Sequence, residues 1–206
     1  METTGLTGGL FRIFDWISKL AYINLLWMFF TLVGFIVIGI APSTVAMFSI
    51  VRKLVMGESD LPIFSTFWSI YKREFKKSNL LSFSLIFILG IMYVDWVLIH
   101  AMSGMLHYIL LVCFIIISIL LSVVLIYIFP VYVHFEGSIF HYYKSAILLG
   151  SSFPIRTIIM ALAIATGILI SIMFPGVALL FFGSGLSFVL MYFSYSIFAT
   201  IKPKAN

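Results

Sequence analysis

His100, His107, His134 and His141 are the chain's four histidines, and Cys113 is its one cysteine. With seven Asp and Glu residues they make up the groups that could ligate a metal or relay a proton. A metal site on one helix needs ligands at i and i+3 or i+4. The histidines lack that spacing with a carboxylate, and His134 and Glu136 are neighbours of the wrong interval, so no metal is expected. Nucleophilic chemistry fares no better. G-x-S-x-G, H-E-x-x-H and G-x-x-x-x-G-K-[ST] are all missing, which removes the common hydrolase signatures and a nucleotide site. Cys113 cannot form an intramolecular disulfide and reads as a small apolar residue inside a hydrophobic run. The expectation is a non-enzymatic chain without a cofactor.

One chemical candidate remains in Asp95, within MYVDWVLIH, with His100 nearby. An ionisable residue inside an apolar span is a functional candidate by default. Three readings are open for it: a carboxylate reaching water beside Trp96 and His100 at the aromatic interface, a proton or substrate path, or pairing within a complex.

The elements that hold these residues follow from composition. Hydrophobic residues make up 63% of the chain and charged ones 9%, and the mean hydropathy is +1.22, far beyond soluble domains. This is the composition of an integral membrane protein. A helix needs about 20 apolar residues to cross the hydrocarbon, and the uncharged stretches divide at Pro42, HAMSGM and Phe174-Pro175-Gly176. Five spans result, at about 21–41, 80–99, 107–130, 157–173 and 177–198. The fold class is therefore an all-α polytopic transmembrane bundle with short amphipathic interfacial helices, forming one membrane domain over residues 1–206. Residues 1–20 read as an interfacial helix with Leu10, Phe11, Phe14, Ile17 and Ser18 at helical spacing. No small-residue cleavage site follows them.

Short cytoplasmic loops carry excess Lys and Arg. The linkers 42–79 and 136–156 and the C-terminal tail hold ten of the twelve, while Arg12 and Lys19 of the N-terminal segment dissent. This places the C-terminus on the cytoplasmic side of the membrane. Five crossings put the N-terminus outside. If 44–55 instead folds back beside the first span, the N-terminus is cytoplasmic and every Lys and Arg agrees.

Within the first linker, FSTFWSIYKREFKK sets Phe64, Phe67, Trp68, Tyr71 and Phe75 in one helical stripe. Lys72, Arg73, Lys76 and Lys77 complete the block. It reads as an interfacial helix with its rings among lipid headgroups, each cation contributing about 1 kcal/mol near an anionic leaflet, or as a docking surface for a partner. The net charge of +5 is ordinary positive-inside bias, so nucleic acid is not a partner. In the spans, the pairs Ala161/Ala165 and Ala163/Gly167, with Gly183 and Gly185, are small residues that let helices approach closely.

NLLWMFFTLVGFIVIGIAPSTVAMFSIVRKL, FSTFWSIYKREFKKSNLL and IFPVYVHFEGSIFHYYKSAILLGSSFPIRTII together resemble the YesL-like family of small bacterial membrane proteins. The matching points include Leu26-Trp27, Gly39 through Ala46, Phe67, Phe75, Phe129-Pro130, Phe135-Glu136, Lys144-Ser145-Ala146 and Pro154 with Thr157. Val37, Ile38 and His134 depart from the family's pattern. The resemblance implies an accessory membrane component encoded beside carbohydrate-importing ABC systems, with ABC permease subunits as partners. An independent small-solute carrier or channel is the alternative.

Overall fold

The computed structural model describes residues 6–201, with side chains from residue 13 onward. Leu10 and Phe11 of the expected stripe, Arg12 off it, and the tail residues Lys202 and Lys204 lie outside the side chains so described. The described residues form seven helices: α1 (Leu6–Val33), α2 (Ile40–Val55), α3 (Ile63–Ala101), α4 (Met105–His134), α5 (Ile139–Ser152), α6 (Pro154–Met173) and α7 (Pro175–Ile201). All but α2 and α5 are long and apolar enough to cross a membrane. The all-α membrane bundle therefore holds.

Its boundaries differ from the sequence expectation in four places. First, α1 runs without interruption from Leu6, so the described part of 1–20 is the start of α1 rather than a separate interfacial helix. That helix then ends at Val33, well before the expected boundary at 41. The break is a tight turn in which Phe35 and Ile36 adopt left-handed φ of 55° and 61°, unusual for side chains this bulky. Gly34 and Gly39 close it. A Cβ on either glycine would collide with the backbone of the other, so the turn depends on two residues without side chains. Pro42 sits in the first turn of α2, where its missing N–H costs nothing.

Second, α2 is not a loop segment of a 42–79 linker. It folds back beside α1, with Trp27 Nε1 donating to Thr44 Oγ1 at 3.0 Å and Lys19 Nζ to the Ser59 carbonyl at 3.1 Å. Most of its residues are buried, including Val45, Ala46, Ile50 and Val51, because α1, α3, α4 and α7 all pack on it. The fold-back reading of 44–55 is the one the chain adopts.

Third, 64–77 is the first third of α3 rather than an independent interfacial helix. Two of its rings belong to the core. Phe67 is 0% and Tyr71 4% exposed, and both pack on Phe30, 5.2 Å between ring centroids in each case. Tyr71 also donates to the Phe30 carbonyl at 3.3 Å.

Fourth, α4 continues through Pro130 to His134, and the 136–156 linker is mostly α5. Ser138 caps α5 by accepting from the His141 N–H at 3.3 Å. This helix packs along the end of α4 with Tyr142, Ala146 and Leu149 buried. Gly150 permits the approach, since a Cβ there would collide with Val123. Tyr127 Oη and Thr157 Oγ1 meet at 3.0 Å, and Thr157 donates to the Gly150 carbonyl at 3.1 Å, so one hydroxyl pair joins α4, α5 and α6. The turns at 102–104 and at Phe174 fall where the sequence placed them.

The core gathers α2, the first part of α3, the last part of α4 and the second half of α7. Beyond it, the α3/α4 hairpin from about residue 86 to 117 and the α6/α7 hairpin project with apolar faces exposed.

Candidate functional site

Where the last turn of α2 meets the last turn of α4, a cavity of about 260 Å³ opens, lined also by α3 and the start of α5. Each wall places a polar group by ordinary helix logic. Arg52 lies in the last turn of α2, where a cation complements the helix dipole. Its Nη1 donates to the Val133 carbonyl at 2.9 Å, one of the α4 carbonyls left without an intrahelical partner. Its Nε is buried and has no hydrogen-bond partner among the described residues.

Glu74 on α3 uses both oxygens. Oε1 accepts from Arg73 Nε and Oε2 from Tyr132 Oη, each at 2.9 Å. Lys77, one turn further along, donates to Tyr142 Oη at 2.7 Å and lies over the Tyr132 and Tyr142 rings at 5.4 and 5.1 Å. Outside the cavity lining, Tyr143 meets Ser84 Oγ at 2.8 Å. Burial raises the Tyr143 phenol above its ordinary range, so it stays protonated. The arrangement is a positively biased pocket walled by the Tyr132 and Tyr142 phenols.

The basic block is thereby split. Arg73 and Lys77 belong to the cavity. Lys72 rests over Trp68 at 4.8 Å, and Lys76 is exposed. Of the aromatics, Phe67 and Tyr71 are core, Phe75 is half-buried against Tyr71 at 5.6 Å, and Phe64 and Trp68 are partly exposed.

At the far end of the α3/α4 hairpin, His100 Nδ1 lies 2.8 Å from the Trp96 carbonyl and its ring 3.9 Å from the Trp96 ring. His107 Nδ1 reaches the Ile99 carbonyl at 2.8 Å. His107 thus ties the start of α4 to the end of α3, while His100 bonds within its own helix. Asp95 is exposed, beside Cys113 and Phe114 of α4, with no hydrogen bond or ion pair to any described residue.

The small residues also divide. Ala163 and Gly167 face α7 and line a groove with Gly185 and Leu186. Ala161 and Ala165 are exposed and belong to the outer face, contrary to the expectation that both pairs pack. Gly183 serves a different neighbour, lying against Asn24, Met47 and Trp27 of α1 and α2.

Sequence reasoning missed Arg52, Glu74, Tyr132 and Tyr142 as one group, and it missed Asn24. Asn24 donates to the Leu179 carbonyl at 2.8 Å and accepts from the Ser184 N–H at 3.0 Å. A polar amide in the middle of an otherwise apolar span was the available signal for it. For the cavity no local signal exists, since its residues come from four elements.

Comparison with known proteins bears on the whole chain. A family profile described as "Protein of unknown function, DUF624" matches residues 20–96. The chain is 38% identical to the uncharacterized protein YteU of Bacillus subtilis (strain 168), covering 98% of this chain and 90% of the relative. YesL of the same organism is 33% identical over 95% of this chain and 92% of its own length. YesV is 34% identical, with 94% and 93% covered. No solved structure matches. Nearly complete mutual coverage at this level of identity means that this chain belongs to the YesL-like DUF624 family of YteU, YesL and YesV.

Proposed function

We propose that the protein is a non-enzymatic component of the bacterial cytoplasmic membrane that assembles with the permease subunits of a carbohydrate ABC importer. The observation that carries this reading is Asp95. It stands on a helix whose neighbours Ile91, Val94, Trp96 and Leu98 are exposed apolar side chains, about 9 Å of helix from the end of α3. An ionised side chain facing lipid costs about 2.5–3.5 kcal/mol on insertion scales at the centre of a span, less near its end. A hydrogen-bond donor on a neighbouring transmembrane helix removes that cost. The exposed apolar faces of the α3/α4 hairpin supply the contact area around it. The importer as partner rests on the family resemblance.

Copurification in mild detergent tests the reading. Wild-type protein is expected to retain permease subunits, and Asp95→Leu to lose them at least tenfold at unchanged membrane abundance. Equal recovery with Asp95→Leu removes Asp95 from the contact. Sugar uptake by the chain alone in liposomes would replace the accessory reading with the carrier.

A further inference from the structure

We infer that the cavity between α2, α3, α4 and α5 binds a phosphoryl group, independently of the partner proposed above. Arg52, Arg73 and Lys77 bring three positive charges to its walls, against the two carboxylates of Glu74 and Glu136. The Glu74 charge is already satisfied by Arg73 and by the Tyr132 hydroxyl. Glu136 is exposed at the rim. Arg52 and Lys77 are left as the cations that face the cavity without a carboxylate partner.

Their geometry selects the ligand class. The Arg52 guanidinium is held in place by the Val133 carbonyl through Nη1, which leaves Nη2 without a hydrogen bond to any described residue. Guanidinium presents a planar fork that matches the oxygens of a tetrahedral phosphoryl group. Tyr142 Oη accepts from Lys77, which leaves its own O–H to donate. Two cations and a phenol on separate walls suit an anion with several acceptor oxygens better than a halide. At about 260 Å³ the space admits a phosphoryl group with a small organic substituent.

The cavity lies at the end of the bundle that holds most of the basic residues, so its phosphoryl group comes either from a lipid headgroup or from a small phosphorylated solute. Thermal unfolding of the purified full chain in an uncharged detergent distinguishes these. Inorganic phosphate at a hundredfold excess over its dissociation constant is expected to raise the midpoint by about 5 °C relative to chloride of equal ionic strength. If only micelles doped with phosphatidylglycerol raise it, the group belongs to lipid. Arg52→Gln and Lys77→Gln should abolish either response, Arg52→Lys should weaken it, and Lys76→Gln, outside the cavity, should leave it intact. Glu136→Gln, an exposed change that spares folding, should lower the half-saturating phosphate or lipid roughly two- to five-fold. No response to phosphate or lipid, a response that survives both Gln variants in the cavity, or one unchanged by Glu136→Gln would overturn the assignment.

Discussion

The Lys19 ammonium reaches across to the backbone carbonyl of Ser59 at 3.1 Å, joining two positions separated by the whole of the α1/α2 hairpin. The chain thus leaves the hairpin at the level where Lys19 enters it. Lys19, Arg52 and Lys53 share one end of that hairpin, which removes the dissent of the N-terminal cations from the positive-inside pattern. In a Cys113→Ser background, a cysteine at Ser59 is expected to label only from the cytoplasm and one at Ser103 only from outside. A tag near the N-terminus should be protected from external protease. An external tag combined with cytoplasmic Ser59 would mean that the hairpin opens in the bilayer.

Asn24 fastens α1 to the backbone of α7 rather than to a side chain, bonding both the Leu179 carbonyl and the Ser184 N–H. Interhelical hydrogen bonds in membranes contribute about 1–2 kcal/mol at most in model systems, and α7 can partly recover by closing its own ladder. Asn24→Leu is therefore expected to cost about 1–2 kcal/mol, read as a lowered melting midpoint in detergent. Asn24→Asp should cost more, because it keeps an acceptor for Ser184, loses the donor for Leu179 and buries a carboxylate. Equal melting of all three proteins would show that the bond pair adds nothing to stability.

The aromatic stripe of α3 separates core from surface within a few residues. Phe67 is fully buried against Phe30, whereas Phe64 is 50% exposed. Phe67→Ala should cost about 3–5 kcal/mol, the usual range for emptying a buried aromatic site. Phe64→Ala should cost under about 1.5 kcal/mol, because most of its burial is already absent. Had the stripe faced lipid headgroups, the two substitutions would melt alike.

What the sequence made legible was periodic or punctuated. Runs of apolar residues located the crossing helices, and HAMSGM and Phe174-Pro175-Gly176 located their turns. Pro42 misled by position: it marks the first turn of α2, while the reversal is made earlier by the contact of Gly34 with Gly39 across a turn whose intervening residues, FIVI, read as part of an apolar span. The aromatic stripe Phe64, Phe67, Trp68, Tyr71 and Phe75 does lie on one helix, α3. The burial of Phe67 and Tyr71 depended on Phe30 arriving from α1, and a short helix on a membrane surface has the same sequence pattern. The cavity was illegible for a related reason. Arg52, Glu74, Lys77, Tyr132 and Tyr142 look like separate surface residues until α2 folds back and brings them to one end.

Small residues give the sharpest contrast between spacing and contact. Ala161 and Ala165 have the four-residue interval of a helix-packing motif, yet both are exposed, so Ala165→Leu should leave the melting midpoint unchanged. Gly167 does face α7, where a Cβ would lie 3.0 Å from Leu186 Cδ2. That atom is the end of a flexible side chain beside an open groove, so it can yield, and Gly167→Ala should shift the midpoint by under about 0.5 kcal/mol in equivalent stability. Gly150 differs from both. The Cβ of an alanine there would collide with Val123 Cγ1, and a valine in a helix is held to one χ1 rotamer, so α5 must move away from α4. Gly150→Ala is therefore expected to lose about 1–3 kcal/mol, the range for overpacking, although it raises helix propensity and would stabilise a free helix by about 1 kcal/mol. The order to be measured is wild type, Ala165→Leu and Gly167→Ala together, with Gly150→Ala below them. If Gly150→Ala melts higher than wild type, propensity outweighs contact and the close approach of α4 and α5 is not a constraint.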